Sequence, residues 1–263
     1  MATRATRAPA SSAAYVLHHY DWSESSLILD LFTRDQGRVA VVAKGAKRPY
    51  SQLRSVLLAF QRLQVSLGRP PKAHQGAGET EGEVQVLRGA EWAGGMAMLT
   101  GAALFSGFYL NELLMNLMAR SDPHPTLFDA YAQTLPTLAM NDEATTQAAL
   151  RAFELTLLRH IGVLPDLGVV TLLQERVRSE RRYGLLPDAG VGAPRKDDAG
   201  IDGAVLIGLE EALEDGSLGA LHQVCALHLP ALRGVLRSLL HYHLGSNVLR
   251  TRQVMRDVQA LER

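Results

Sequence analysis

The sequence lacks most of the features that usually reveal an enzyme. It has a single cysteine, Cys225, so it can form neither an intrachain disulfide nor a cysteine-rich zinc site. It contains no phosphate-binding P-loop and no dinucleotide-binding glycine fingerprint, and no serine lies in a nucleophile-elbow sequence. No segment repeats at a fixed period, which argues against a solenoid. The sequence therefore offers no catalytic residues and indicates a protein that is not an enzyme.

The nine histidines do not form a recognisable metal site either. His18 and His19 are neighbours on a predicted strand, so their side chains point to opposite faces. His241 and His243 are two residues apart on a predicted helix, where side chains do not converge. We interpret the histidines as structural or surface residues and expect no metal and no cofactor.

One long run without charge, Trp92 to Asn111, raises the question of a membrane helix. It contains four glycines, and its apolar pattern continues past Glu112. A buried helix of a soluble domain fits this composition better than a membrane span. The first residues, MATRATRAPASSAA, lack the apolar core of a secretory signal, and we expect residues 1–13 to be a disordered lead-in.

Charge is balanced over the chain but not along it. The 27 Lys and Arg residues equal the 27 Asp and Glu residues, yet residues 1–75 hold 11 of the former against 4 of the latter. Such asymmetry suggests a basic module for a polyanion joined to an acidic body, although compositional drift would produce the same numbers.

The first ninety residues alternate with the period of β-strands. Predicted strands cover residues 14–20, 25–33, 38–43, 56–67 and 84–88, with a helical turn at 51–54 and a loop at 68–82 rich in glycine and proline. Five short strands in this length predict a small closed barrel over residues 14–92, of the OB-fold or the SH3-like kind. Periodicity does not separate the two.

The remainder, residues 93–263, has a helical period. Helices are predicted at 96–118, 127–140, 169–182, 206–214, 221–228, 231–244 and 246–262, with an irregular excursion at 183–201. A further helix begins at a cap formed by Asn141 or Asp142, has its core stripe within 150–161 and is ended by Gly162 and Pro165. The helix at 96–118 is apolar nearly all round, so we expect it to be the central buried helix. The fold class is thus α+β, with a five-stranded barrel followed by an all-helical domain.

Basic residues on and near the barrel are the best candidates for a ligand surface. Cations beside exposed aromatics are typical of single-stranded nucleic-acid platforms. Phe32 and Phe60 fit the core better than a stacking role, whereas Tyr50 lies in a loop beside Arg48. The predicted DNA-binding residues are Arg34, Arg38, Lys44, Lys47, Arg48, Tyr50, Arg54 and Lys72. A solvated positive face without a ligand is the alternative.

Four stretches of the sequence resemble the RecO family of bacterial recombination mediators. They are AYVLHHYDWSESSLILDLFTRDQGRVAVVAKGAKR (14–48), YLNELLMNLM (109–118) with LFDAY (127–131), LRAFELTLLRHIG (150–162) and LGSNVLRTRQVM (244–255). The resemblance implies an N-terminal OB-fold and a helical C-terminal domain. It also implies binding of single- and double-stranded DNA, annealing of complementary strands, and a cytoplasmic, nucleoid-associated location.

The resemblance further implies protein partners, namely RecR and the acidic tail of the single-stranded-DNA-binding protein SSB, and help in loading RecA on SSB-coated DNA. An acidic, apolar tail needs a hydrophobic groove beside a cation. The candidates are Arg120, Arg151 and Arg159. Many members of the family carry a four-cysteine zinc site, but residues 164–194 contain no cysteine here, so we expect none. The alternative from another class is an adaptor whose barrel binds a protein instead of DNA.

Overall fold

The protein divides into two compact units. The computed structural model describes residues 11–68, 84–94, 99–140, 142–195, 200–245, 249–251 and 253–254. The barrel unit comprises the described residues up to 94 together with 119–128, and the helical unit comprises 99–118 and the described residues from 129 onward.

Five strands and one short helix make up the described part of the barrel unit. Their bounds are β1 Ser11–Asp21, β2 Leu27–Thr33, β3 Gly37–Ala43, α1 Gln52–Val56, β4 Leu63–Gly68 and β5 Gln85–Trp92. β1 begins three residues before the expected Ala14, so residues 11–13 are strand and not lead-in. The expected fourth strand at 56–67 is shorter, because α1 occupies its first residue and β4 begins at Leu63.

The strands close into a barrel in the order β1-β2-β3-β5-β4, with β4 returning to β1. β3 and β5 are parallel, and the other pairs are antiparallel. β1 serves both neighbours because it is 11 residues long and shifts register between Val16 and His18. This closure confirms the α+β fold with an OB-like barrel and removes the SH3-like alternative.

Alternate residues of each strand fill the barrel interior. The interior side chains are Ala14, Val16, Leu29, Leu31, Val39, Val41, Ala43, Leu63, Val65 and Leu87. The intervening residues of β1 and β2 point outward, yet Tyr15 and Phe32 are buried. They are covered by Phe128, whose ring centroid is 5.3 Å from each of theirs.

Phe128 belongs to residues 119–128, which we call the covering segment. The backbone N–H of Ser121 donates to the carbonyl of Arg38 at 2.9 Å, so this segment also adds to β3. Phe32 and Phe60 are both buried, so the expectation that they belong to the core is confirmed. The covering segment occupies part of the outer barrel face.

The described part of the helical unit includes six helices with defined bounds, of which α3 starts in the covering segment. Their bounds are α2 Gly101–Leu117, α3 Pro125–Ala139, α4 Glu143–His160, α5 Gly203–Glu214, α6 Leu218–Leu227 and α7 Leu229–Leu244. α3 continues through Pro136 to its end. Asp142 caps α4 by accepting a hydrogen bond from the N–H of Thr145 at 2.8 Å.

The central helix is α4, and not α2 as its composition suggested. α4 packs against α2, α6 and α7 and buries residues on most of its circumference, among them Leu150, Phe153 and Leu157. α2 buries one face and leaves Phe108 exposed. Among the described helices, none combines the length and the apolar character needed to span a membrane. The expected helix at 246–262 lies mostly outside the described residues.

The prediction of a helix at 169–182 is wrong, and the C-terminal region is not all-helical. Its strands are β6 Val169–Val170, β7 Glu175–Arg176, β8 Arg182–Leu186, β9 Gly190–Gly192 and β10 Ile201–Asp202. They form a two-stranded sheet, β6-β7, and a three-stranded sheet, β10-β8-β9. The apolar spacing that imitated a helix includes Leu172 and Leu173, which are exposed at a turn where Gln174 adopts a φ of 54°.

Candidate nucleic-acid interface

Two loops at one end of the barrel are joined into a single surface. The β1–β2 loop (residues 22–26) is a tight turn in which Trp22 and Ser23 donate backbone hydrogen bonds to the carbonyl of Ser26. The β3–α1 loop (residues 44–51) docks on it, because Lys47 N–H donates to the carbonyl of Ser25 at 3.0 Å. Gly45 N–H donates to Ser26 Oγ at 3.4 Å. We call residues 22–26 and 44–51 the basic platform.

Gly45 shapes the cationic half of this platform. Its φ is 72°, a backbone conformation that residues with a Cβ adopt only with strain. The turn that it makes allows Arg48 N–H to donate to the Gly45 carbonyl at 3.1 Å and buries Ala46 beneath the loop. Lys44 and Arg48 are consequently displayed on the surface.

The cations of the platform differ in how they are held. Lys47 Nζ lies 2.9 Å from Asp21 Oδ1 and donates to the carbonyl of Ser23 at 3.2 Å. Lys44 and Arg48 are exposed and take part in no ion pair among the described residues. Tyr50 is 100% exposed, the orientation that a stacking role requires. Arg54, on α1, is also exposed.

Two of the expected DNA-binding residues lie at the other end of β2 and β3. Leu27 pairs with Ala43 beside the platform, whereas Thr33 pairs with Gly37 at the opposite hairpin. Six residues of strand separate the ends, which corresponds to about 20 Å. Arg34 and Arg38 therefore belong to a different surface. Lys72 lies outside the described residues.

Arg38 is held in a half-buried charge cluster on the outer barrel face. Asp30 is 1% exposed, and its Oδ1 lies 3.6 Å from Arg120 Nη2 on the covering segment. Burial lowers the pKa of Arg38, an effect that the nearby Asp30 carboxylate opposes. The pKa of Tyr20 is raised, first by partial burial and then by Asp30, with which its hydroxyl is hydrogen-bonded. This cluster fastens the covering segment to the barrel.

Sequence reasoning missed two aromatic side chains beside the platform. Trp22, in the β1–β2 loop, is 65% exposed, and Tyr20, at the end of β1, is 44% exposed. Tyr20 pairs with Ile28, which pairs with Val42, and both aliphatic side chains are half-buried on the outer face. OB-folds bind oligonucleotides on the face of strands 2 and 3 and with the loop between strands 1 and 2. The outward register of Ile28, extended to Tyr20, is the signal that would have found Tyr20, whereas Trp22 has no such signal in the sequence.

The three arginines expected to contact protein partners are all held by carboxylates. Arg120 belongs to the barrel unit, in the cluster with Asp30. Arg151 is 6% exposed, and its Nη2 lies 2.7 Å from Glu154 Oε1, which also accepts a hydrogen bond from the Tyr109 hydroxyl at 2.7 Å. Arg159 pairs with Glu210, whose carboxylate accepts from the N–H of Leu167 as well.

Neither a metal site nor an activated thiol is found among the residues that the structure describes. Among the described residues, no three His, Cys, Asp or Glu side chains lie close enough together to hold a metal ion. Burial, with a smaller contribution from Glu154, raises the pKa of Cys225 to about 12, so its thiol is not poised as a nucleophile.

Comparison with known proteins places both units in one family. The family model "Recombination protein O N terminal" matches residues 9–76, and "Recombination protein O C terminal" matches residues 98–253. The chain is 49% identical over 257 residues to the DNA repair protein RecO of Variovorax paradoxus (strain S110), covering 94% of this chain and 96% of that protein. It is 50% identical over 250 residues to the DNA repair protein RecO of Polaromonas naphthalenivorans (strain CJ2), with the same coverage of each. The chain, with its OB-like barrel and its helical unit, belongs to the RecO family of DNA repair proteins.

Proposed function

We propose that this protein is a recombination mediator that binds single- and double-stranded DNA through the basic platform and anneals complementary strands. The observation that carries the proposal is the platform itself, in which Lys44 and Arg48 are displayed beside Trp22 and Tyr50. Cations contact phosphates irrespective of sequence, and exposed aromatic rings stack on bases of any identity. The arrangement suits a protein that acts on DNA without reading its sequence.

Annealing follows from the same charges. Two complementary strands repel each other through their phosphates, and a cationic surface that binds both lowers this repulsion. Because counterions are released when phosphates are neutralised, binding weakens as salt rises. The proposed activity needs positioning and charge but no bond-making step.

The partners belong to the proposal as well. Family membership supports contacts with RecR and with the SSB tail, and a role in loading RecA on SSB-coated DNA. The proposed location is the cytoplasm, in association with the nucleoid. Of the two candidate arginines in the helical unit, Arg159 is the more exposed, and Arg151 is buried. Arg159 is therefore the better candidate for a contact with an acidic tail, provided that Glu210 releases it.

The platform is tested by the salt dependence of oligonucleotide binding. We expect Lys44→Glu/Arg48→Glu to weaken binding of a labelled single strand and to reduce the slope of log K against log salt by about 1.4, since each phosphate contact contributes about 0.7. Lys47 is left unchanged because its ion pair with Asp21 would be replaced by repulsion. Fluorescence anisotropy at several salt concentrations measures the slope.

Arg62→Glu/Arg88→Glu is the matched control, because both arginines are exposed residues of the barrel unit outside the platform. Arg62 immediately precedes β4, and Arg88 lies in β5. The control changes the net charge by the same amount and should leave the slope close to that of the wild type. If both variants lose the same DNA affinity and salt slope, DNA binding cannot be assigned to the platform. A wild-type protein without salt-dependent binding would favour the adaptor whose barrel binds a protein.

A further inference from the structure

A stretch near the C-terminus is strongly basic although the chain around it is acidic. Residues 216–256 contain no Asp or Glu and five arginines, at positions 233, 237, 250, 252 and 256. Residues 76–263 as a whole hold 16 Lys and Arg against 23 Asp and Glu. An isolated basic stretch on an acidic body concentrates its positive potential at one place.

The described part of this stretch includes α7, which has one apolar and one polar face. Its buried face consists of leucines that pack against α2, α4 and β8 within the helical unit. The buried residues are Leu232, Leu236, Leu239, Leu240 and Leu244. The opposite face is exposed to solvent over three helical turns.

The exposed face of α7 consists of two parallel columns of side chains. Arg233, Arg237 and His241 follow one another at intervals of four residues and form the first column. Gly234, Ser238 and Tyr242 form the second, beside it. Successive members of a column rise by about 6 Å along the helix, so the two arginines lie on the same side of α7, about one turn apart.

The second column favours a phosphate backbone as the ligand. Gly234 and Ser238 are small, so no bulky side chain covers the helix surface beside the arginines. The Ser238 hydroxyl donates to the Gly234 carbonyl at 3.2 Å, and this surface is polar. Tyr242 is 57% exposed at the end of the column, where a base can stack on it. An acidic, apolar peptide would need a hydrophobic groove there, and the column provides none.

We propose that the exposed face of α7, formed by Arg233, Gly234, Arg237, Ser238, His241 and Tyr242, is a second binding surface for the phosphodiester backbone of DNA. It belongs to the helical unit, whereas the basic platform belongs to the barrel unit. The inference rests on the proposed function, to which it adds a place for a second strand. A protein with two such surfaces holds two strands at once, as annealing requires.

The test compares Arg233→Gln/Arg237→Gln with a matched control in the full-length protein. Arg176→Gln/Arg178→Gln removes the same charge from two exposed arginines of the same unit. We expect the α7 variant to lower the salt slope by about 1.4 for a single strand, or about 1.8 for a duplex, and the control to leave it unchanged. A lower salt slope with either single-stranded or duplex DNA supports the surface and identifies the form of DNA that it binds.

A further variant tests the surface without removing an arginine. Ser238→Glu places a carboxylate between the columns and should weaken DNA binding at least tenfold. Circular dichroism confirms that α7 folds in each variant. In a bridging assay with two differently labelled, non-complementary oligonucleotides, Arg233→Gln/Arg237→Gln should abolish energy transfer between the labels while one oligonucleotide remains bound.

The outcomes separate this inference from the proposed function. If the platform variant lowers the salt slope and the α7 variant does not, the second surface is overturned and the platform stands. If Arg176→Gln/Arg178→Gln causes the same loss, the effect is one of net charge and the surface is overturned. If an acidic peptide binds through α7 while DNA binding is unaffected, α7 is a protein contact. If the wild type does not bind DNA, both proposals fail.

Discussion

Gly37→Ala should strongly destabilise the barrel unit. A Cβ at this position would lie 1.9 Å from the carbonyl oxygen of Asp122, which is backbone of the covering segment and cannot rotate away. The φ of Gly37 is 67°, which costs an L-residue about 1–2 kcal/mol, and overpacking adds about 1–3 kcal/mol. We expect the free energy of unfolding to fall by roughly 2–5 kcal/mol.

Gly45→Ala measures the backbone strain of a positive φ without a steric clash of the added Cβ. Gly45 has nearly the same φ, 72°, but the atoms nearest its Cβ position belong to the mobile side chain of Arg48, 3.5 Å away. It should therefore show only the strain of about 1–2 kcal/mol. Urea unfolding followed by the fluorescence of Trp22 and Trp92 measures both variants. Equal losses would contradict the contact between the covering segment and the β2–β3 hairpin.

Glu154→Gln should destabilise the helical unit by about 3–5 kcal/mol, because it leaves the charge of Arg151 buried without its counter-charge. The Arg151 and Glu154 side chains are 8% and 0% exposed, so water cannot replace the lost partner. The Tyr109 hydroxyl depends on the same carboxylate. Thermal unfolding followed by circular dichroism measures the loss.

Two further variants define the cause of that loss. Glu143→Gln changes an exposed carboxylate at the start of the same helix and should alter stability by about 0.5 kcal/mol or less. Arg151→Met/Glu154→Leu, combined with Tyr109→Phe, removes the polar groups of all three side chains and should recover most of the stability. If Glu154→Gln is as mild as Glu143→Gln, the ion pair is not buried in solution.

The barrel was predictable because its signal is local. Alternation along residues 27–33 places Leu29 and Leu31 inside and leaves the intervening residues to face outward, and the structure has that arrangement. The turn at Gly37 and the exposure of Lys44 and Arg48 follow from short-range chemistry as well. The platform could therefore be approached from the sequence, except that the order of strand closure was needed to recognise Trp22.

What the sequence could not provide depends on contacts between distant residues. Nothing near Asp30 indicates that Arg120 pairs with it, so Arg38 and Arg120 both looked like surface cations. Arg151 lies within a helical pattern that does not distinguish a buried ion pair from an exposed arginine. The positive charge of α7 was not recognised because the net charge was counted over residues 76–263, in which Asp and Glu outnumber Lys and Arg.

The residues at 169–182 show the limit of periodicity itself. Their apolar spacing satisfied a helix, but Leu172 and Leu173 have no partner that would bury them among the described residues, and short strands formed instead. Local spacing is compatible with several structures, and tertiary contacts select among them.

The central claim is that the platform brings DNA strands together, and the rate of annealing of two complementary labelled oligonucleotides tests it most directly. The wild type should accelerate annealing of free strands and of strands coated with SSB, and Arg62→Glu/Arg88→Glu should retain this activity. Lys44→Glu/Arg48→Glu should lose at least tenfold in rate while remaining folded. A platform variant that anneals as fast as the wild type, or a wild type that does not accelerate annealing at all, would contradict the account.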